Sequence, residues 1–296
     1  MLAAAGGCGS AWPLGGYFSN NHDATIMKNH KVVLNIPRRP IFPKNSPALV
    51  RVLDKVRKAF DDDEYGEFYW FAREYPRIYH YHLNHAQYRL ELIYKRYEHF
   101  HSVVLQKIGS GEIEEGSFGF AESADFAYRI YWDFEAYLSA INTAIDVLAR
   151  IVGTAYKEQL PPSFNKVCRK NNLGGLVSIL QQAKEQWVSR LKDYRDCFVH
   201  YTPVDNLVFI QSELYSDGWE IRCKLPSNPN TRDMMRFKFS RRSELLRYSL
   251  SVWRHMQKLD KDVASYIFDE FNAGRYPQKI HGLFTTGMRS YTETAT

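Results

Sequence analysis

The longest pattern in the sequence is an apolar repeat with the period of an α-helix, between about residues 124 and 156. Large apolar side chains recur there at every third or fourth position, which places them on one face of a helix. The members of the repeat are Ile130, Phe134, Leu138, Ile141, Ile145, Leu148 and Val152. Most of the stability of such a helix comes from packing of this face against other elements, so the pattern favours a helical bundle.

Further patterns surround this helix. Helical spacing predicts helices over 173–183, 186–200 and 243–272, with Gly274 as the C-terminal stop of the last one. After Pro203 the period changes to two, and Asp217-Gly218 is a strong hairpin turn, so strands are predicted over 207–225, with a third one over 235–239. The second half of the chain is therefore four bundle helices with a small antiparallel sheet between the third and the fourth.

The first half is predicted to be helical without a catalytic signature. Residues 1–30 are rich in glycine and polar residues and are predicted to be disordered, and 31–36 are predicted to form a short strand. Ser46-Pro47 predicts the start of a helix that reaches about residue 61. A short aromatic helix over 64–73 is expected to end near Pro76, and another is predicted over 81–108.

Composition limits the class of protein. The chain has 296 residues, of which 45% are apolar and 24% charged, as in soluble globular proteins. Its net charge of +6 permits a polyanionic partner but is equally ordinary for a mildly basic protein. No apolar run approaches the ~20 residues that a membrane span needs. The N-terminus does not resemble a signal peptide, and Met27 offers an alternative start.

The four cysteines form no C-x-x-C pair and are predicted to be reduced thiols of a cytoplasmic protein. No metal site and no cofactor are predicted. A metal-binding reading of the triplet His80, His82 and His85 is the weaker one, because no cysteine or paired carboxylate accompanies it. Its alternative is the partly exposed face of an aromatic helix.

The stretch 187–203, WVSRLKDYRDCFVHYTP, combines a buried helix face with chemically active groups. Its apolar stripe is Trp187, Leu191, Tyr194 and Phe198. Arg195, Asp196 and His200 lie off that stripe and close to the end of the helix. Pro203 sets that end, because the residue before a proline is disfavoured in a helix. A fixed cation beside a proton-transfer group suits chemistry on a phosphodiester, whose transition state is crowded and negative.

The pattern R-D-x-x-x-H in this stretch resembles the motif of the HEPN superfamily, R-x(4–6)-H, usually with Asn, Asp or His after the Arg. The bare spacing also occurs elsewhere, as in Arg77 to His82 and Arg96 to His101. Only Arg195 is followed by Asp or Asn, and only its match closes a clearly amphipathic helix. The resemblance covers roughly residues 120–275.

What the resemblance implies for the fold is a mainly α protein with a HEPN-like up-down helical bundle. The bundle would occupy 119–275, and a small antiparallel sheet over 205–240 would be inserted after the motif helix. An N-terminal helical region over 31–118 would precede it, and a tail over 276–296 would follow.

For function, the resemblance implies a metal-independent endoribonuclease in which a ribose 2′-hydroxyl attacks its own 3′-phosphate. His200 would be the general acid/base, Arg195 would stabilise the pentavalent phosphate and Asp196 would orient the site. Lys192 and Tyr201 are additional candidates on proximity alone. A homodimer is implied, and roles in toxin–antitoxin systems or phage defence, with an antitoxin or regulatory protein as partner, are common in the superfamily.

Two alternatives remain open at this point. The same residues would be kept in a non-catalytic HEPN-like module that binds a nucleotide, RNA or protein partner. The cations of the predicted hairpin, among them Arg236 and Lys238, either track an RNA backbone or form the solvated face of a half-buried sheet.

Overall fold

Helices form most of the computed structural model, which describes residues 42, 46–58, 62–112, 124–155, 163–169, 174–201, 210–215 and 218–275. Of the described residues 81% are helical, and a small antiparallel sheet of three strands accompanies the helices. The predicted disordered segment 1–30, the predicted strand 31–36 and the tail 276–296 lie outside the described residues. In the described part of the chain, no helix has the length and apolar character needed to cross a bilayer.

Two helices occupy the region between Ser46 and Gly109, where three were predicted. Helix α1, Ala48–Lys58, begins where Ser46-Pro47 predicted. Helix α2, Asp62–Gly109, is one element of 48 residues that contains Pro76, so the prediction of two helices separated at Pro76 is wrong. Interior proline costs about 3 kcal/mol because it removes a hydrogen bond and crowds the preceding turn. Burial of Pro76 itself and of Tyr79 one turn later offsets that cost.

Two further long helices confirm their predictions. Helix α3, Ala124–Ala155, buries all seven members of the apolar repeat. The last helix, labelled α7 in chain order, is Leu245–Asn272, and Gly274 follows it with a φ of 71°, as a C-terminal stop requires. Helix α2 packs along α3, while α1 packs on both α2 and α7. The predicted N-terminal region and the predicted bundle therefore share one core, and the boundary between them stays a prediction.

The segment 174–201 is helical throughout, although two separate helices were predicted there. A short helix α4, Phe164–Val167, precedes it. The segment consists of α5, Gly174–Ala183, a π-helical turn, Lys184–Val188, α6, Ser189–Asp196, and a second π turn, Cys197–Tyr201. The predicted break between the helices is thus a π turn, in which the chain is wound more loosely without ending the helix.

Buried carboxylates cap the starts of two helices. Asp260 on α7 accepts hydrogen bonds from the backbone N–H groups of Ala48 and Leu49, at 2.6 and 3.3 Å, and from the Tyr79 hydroxyl at 3.2 Å. Glu244 caps its own helix α7 through the N–H groups of Leu246 and Arg247. Because each carboxylate satisfies helix N–H groups that have no partner within their helix, both helix starts are fixed.

The sheet follows the predicted hairpin and then departs from it. Strand β1, Ile210–Tyr215, pairs antiparallel with β2, Gly218–Pro226, but Gly218 lies opposite Tyr215 and so belongs to β2 rather than to the predicted Asp217-Gly218 turn. Strand β3, Phe239–Glu244, pairs with β2 through an irregular register. Arg222, another cation of the predicted hairpin, fits neither alternative for these residues, because it is only 4% exposed and donates to the Ser240 carbonyl.

The third strand begins later than predicted because side-chain bonds close a loop over 227–238. Asn228 accepts from the Lys238 N–H at 2.7 Å and donates to the Arg236 carbonyl at 3.0 Å. These bonds satisfy backbone groups that a strand would have paired. Residues 234–236 form a 3-10 turn, and Met235 at its tip is 92% exposed.

Candidate functional site

The motif helix, which we define as 174–201, is held by its apolar stripe against α3 and the sheet. Trp187, Leu191, Tyr194 and Phe198 are all buried, as the periodicity predicts. The Phe198 ring meets that of Phe134 on α3 edge to face at 5.4 Å, and the Tyr194 hydroxyl donates to the Pro226 carbonyl at 2.7 Å. The motif residues therefore stand on an element fixed by packing on both sides.

Arg195 and Asp196 are bound to each other on the partly exposed side of this helix. The Nε and Nη2 groups of Arg195 donate to the same Asp196 oxygen at 2.9 and 2.5 Å. Consecutive residues lie about 100° apart on a helix, which predicts that these two side chains point apart, but in the structure they are paired. The arginine side chain is long enough to fold back along the helix to its neighbour, which the rotation between their Cα positions did not suggest.

The winding of the helix changes directly after this pair. On a straight α-helix, five residues rotate by about 500°, so Arg195 and His200 would lie about 140° apart. Residues 197–201 form a π turn, whose hydrogen bonds span five residues rather than four, so each residue turns by a smaller angle. The π turn therefore brings His200 nearer to the side of Arg195.

The other motif positions differ in their surroundings. His200 is exposed, and the adjacent Val199 is an exposed apolar residue with a relative accessibility of 44%. Lys192 is half-buried, with its ammonium 5.6 Å from the centre of the Phe164 ring. Burial lowers the pKa of Lys192, the positive charge of Arg195 lowers it further, and Asp146 opposes the shift. The helix includes Tyr201, whose side chain lies outside the described residues.

Arg236 and Lys238 were predicted to lie on a strand, but in the structure they lie in the loop 227–238 that joins β2 to β3. Both side chains are exposed, and Arg236 forms an ion pair with Asp233 at 3.2 Å. The loop is ordered by Asn228 and presents these cations beside the exposed Met235. Their position on an exposed loop is compatible with contact to a polyanion, and equally with simple solvation.

The histidines of 80–85 do not converge on one point. His85 accepts a hydrogen bond from the Arg89 Nε at 3.2 Å, and the His82 ring packs edge-on against that of Tyr81. Burial lowers the pKa of both His82 and His85, and the charge of Arg89 lowers that of His85 further. Among the described residues, no three His, Cys, Asp or Glu side chains are arranged to hold a metal ion.

Sequence reasoning missed a basic cavity of about 330 Å³ between the motif helix and the start of α7. Arg190 from the motif helix, Arg242 from β3, and Arg247 and His255 from α7 line it. These residues are far apart in sequence, and the only signal for this region is that arginine and lysine are frequent over 222–258. Sequence spacing could not bring Arg190 next to residues more than fifty positions later.

Comparison with known proteins gives no relative for this chain. No family model matches it, and no curated protein or solved structure matches it.

Proposed function

We propose that this protein is a metal-independent endoribonuclease of HEPN type, in which Arg195 and His200 act on the scissile phosphate. The observation that carries the proposal is the arrangement of the motif helix. Its stripe is buried against α3 and the sheet, while Arg195 and His200 stand off the stripe, and the π turn between them reduces their angular separation. Because the element is already fixed, little conformational entropy is lost when its side chains are positioned for reaction.

Arg195 would stabilise the charge of the pentavalent phosphate. An arginine has five N–H donors in a planar fork, and Asp196 occupies two of those of Arg195. The ion pair is partly exposed, with side-chain accessibilities of 30% and 39%, so it contributes at most about 1 kcal/mol. An RNA phosphate can therefore use the remaining donors, and Asp196 serves to hold the guanidinium in one orientation.

His200 would exchange the protons. Its exposure leaves the imidazole accessible to a ribose 2′-hydroxyl and to the leaving 5′-oxygen. As general base it would take the proton of the 2′-hydroxyl, whose oxygen then bonds to phosphorus. As the bond to the 5′-oxygen breaks, the protonated imidazole of His200 returns the proton to that oxygen, and the products are a 2′,3′-cyclic phosphate and a free 5′-hydroxyl. The cations of the loop 227–238, Arg236 and Lys238, would hold the RNA backbone outside the cleavage point.

The alternative is a non-catalytic HEPN-like module, and the Arg195–Asp196 pair is the observation that favours it. A guanidinium already bound to a carboxylate has part of its charge compensated. In that case the motif would stabilise the helix end or an interface, and RNA would bind without being cut.

The two functions are separated by incubating the purified chain with a mixed RNA pool in EDTA. The wild-type protein should cleave this RNA, and the Arg195→Ala and His200→Ala variants should not. Their helical circular dichroism should match that of the wild type, because both side chains lie off the buried stripe. Arg254→Ala, which removes an exposed arginine on α7, is the matched control and should cut normally. Replacing both Arg236 and Lys238 by Glu should weaken RNA binding and flatten its salt dependence.

A strict requirement for Mg²⁺ or Mn²⁺, or products without a cyclic phosphate, would contradict the mechanism. Wild-type activity in both motif variants would place the catalytic site elsewhere. Binding without cleavage, in wild type and variants alike, would support the non-catalytic module.

A further inference from the structure

The basic cavity beside the motif helix has the composition of an anion site rather than of a packing defect. Its volume of about 330 Å³ lies at the lower end of the range for small-molecule pockets. Three arginines and a histidine line it, and none of the described residues that line it carries a carboxylate. An anion in this cavity would therefore interact favourably with the arginines around it.

The basic side chains come from three different elements and are fixed to different degrees. Arg190 lies over the Tyr194 ring at 5.6 Å, and its Nη2 is 3.5 Å from the Tyr194 hydroxyl. Arg242 and Arg247 are exposed at the rim. On the wall, the His255 ring stacks on that of Trp187 with 12° between the planes, which fixes the imidazole. The first π turn carries Trp187 and Gln186 into this wall.

A second observation points to a ligand. The Tyr248 hydroxyl is buried and has no hydrogen-bond partner among the described residues. Tyr248 lines the same cavity, and its ring packs against those of Tyr194 and Phe134. A buried hydroxyl without a partner costs free energy in a folded protein. A ligand oxygen that reaches this hydroxyl after a small shift of the lining side chains would accept its proton and remove that cost.

The nearby carboxylates do not fill the cavity. Glu244 is directed into the core, where it caps α7 and accepts from the Tyr97 hydroxyl. Asp193 lies on the flank close enough to interact electrostatically with Arg190 and Tyr248. The N–H groups of Leu246 and Arg247 are already taken by Glu244, so recognition of an anion falls to side chains.

We propose that this cavity binds a phosphorylated small molecule through its phosphate group. Arg242 and Arg247 would form charge-assisted hydrogen bonds to the phosphate oxygens, the Tyr248 hydroxyl would donate to one of them, and Arg190 would add charge from the other wall. The rings of Trp187, Tyr194 and Tyr248 would contact the remainder of the ligand. This site is separate from Arg195 and His200 and does not depend on RNA cleavage.

The test titrates the full-length protein with inorganic phosphate, adenosine 5′-monophosphate and adenosine, with calorimetry and thermal unfolding as readouts. Phosphate and the monophosphate should bind and raise Tm, and uncharged adenosine should not. Tighter binding of the monophosphate than of phosphate would identify a ligand larger than the free ion. Arg242→Gln and Arg247→Gln should each lower affinity about tenfold, the effect of one lost charge-assisted hydrogen bond.

Three variants serve as controls. Arg254→Gln removes another exposed arginine, on α7 but outside the cavity, and should leave binding unchanged. His200→Ala should also bind normally, so failure of the proposed nuclease and failure of this site are distinguishable. Tyr248→Phe keeps the ring packing and should weaken binding without lowering the Tm of the unliganded protein, which a purely structural role for the hydroxyl would not produce.

Absence of binding by phosphate and monophosphate at millimolar concentration would overturn the proposal. So would an equal loss of affinity in Arg254→Gln, since that would indicate diffuse attraction to a basic surface. Displacement of the monophosphate by an RNA oligonucleotide without terminal phosphates would also overturn it, because the cavity would then belong to an RNA-binding surface.

Discussion

At the scale of single residues, the pairing of Arg195 with Asp196 can either help or hinder catalysis. If Asp196 orients the guanidinium, Asp196→Ala should lower kcat/KM for RNA cleavage about tenfold, the value of one charge-assisted hydrogen bond. Asp196→Asn keeps an oxygen that can accept from Arg195, so it should retain more activity than the alanine variant. Steady-state kinetics on both variants separate kcat from KM.

The opposite outcome is equally informative. If Asp196 mainly compensates the charge of Arg195, both variants should bind RNA more tightly and cut faster than wild type. An increase in kcat/KM in both would therefore contradict the positioning role.

His85 provides a pH-dependent contribution to stability. Its Nε2 accepts from Arg89, so protonation removes that hydrogen bond and places a second positive charge beside the guanidinium. Burial and Arg89 lower the pKa of His85 in the folded protein. A lowered pKa means that the contribution is present above the unfolded value of about 6.5 and is lost as pH falls through the folded value.

The expected result is a fall of the urea unfolding midpoint on acidification from pH 7.5 to 5 that is smaller in His85→Gln than in wild type. Glutamine keeps an acceptor for Arg89 but does not titrate. Asp133, which binds both Arg89 and Arg96, and the neighbouring His82 are unchanged in this comparison. Identical pH profiles for the two proteins would show that His85 does not contribute.

At the scale of elements, the first π turn indicates that the motif helix contains one extra residue. The Ser189 N–H bonds to the Lys184 carbonyl, five residues back instead of four. The turn thus holds one residue more than an α-helix needs. Deleting the exposed Glu185 should convert the turn into regular α-helix and leave the faces on both sides in place, at a cost of about 1–2 kcal/mol in unfolding free energy.

The matched control is deletion of the exposed Arg254 in α7, which contains no π turn to absorb it. One missing residue there rotates half of the helix by about 100° and exposes its buried face, so the protein should fail to fold. Chemical denaturation of both deletions gives the comparison. Equal damage from the two would mean that the π turn is not a removable insertion.

Elements show where sequence reasoning reached its limit. The long helices α3 and α7 follow from periodicity, because a repeat over many turns has few alternative explanations. The predictions of a break at Pro76 and of a strand over 235–239 are wrong because local sequence preference did not decide the structure there. Burial of Tyr79 and the side-chain bonds of Asn228 outweighed the local preference, and both depend on tertiary contacts.

The candidate site divides in the same way. Periodicity was sufficient to separate the buried stripe of the motif helix from Arg195 and His200. It could not show that Arg195 folds back onto Asp196, because rotamers are not visible in spacing. Nor could it assemble the basic cavity, whose arginines come from three elements.

At the scale of the whole molecule, one distant carboxylate fixes the start of α1. Asp260 caps α1 across 212 positions of sequence, and Tyr79 of α2 joins the same carboxylate. Three helices thus meet at one buried group. The motif helix is fastened to the same core through Phe134 of α3, which also packs against Tyr248 of α7.

The resemblance implies that such a molecule acts as a homodimer, and this stays a prediction. Even with the π turn, Arg195 and His200 do not share one face of the motif helix. A two-fold axis beside this helix would bring two copies of each into one cleft, and the exposed Val199 next to His200 would supply apolar contact area. Light scattering should therefore give twice the chain mass, and Val199→Glu should shift it toward the monomer.

Mixing experiments then test whether the cleft is shared. Arg195→Ala and His200→Ala chains should each be inactive alone, as argued above. If one active centre takes its arginine from one chain and its histidine from the other, mixed dimers should regain part of the wild-type activity, because one of their two centres is then intact. Adding Val199→Glu to both chains should abolish this recovery by preventing association. A wild-type monomer that remains fully active at nanomolar concentration would contradict the shared cleft and show that the π turn alone aligns the two groups.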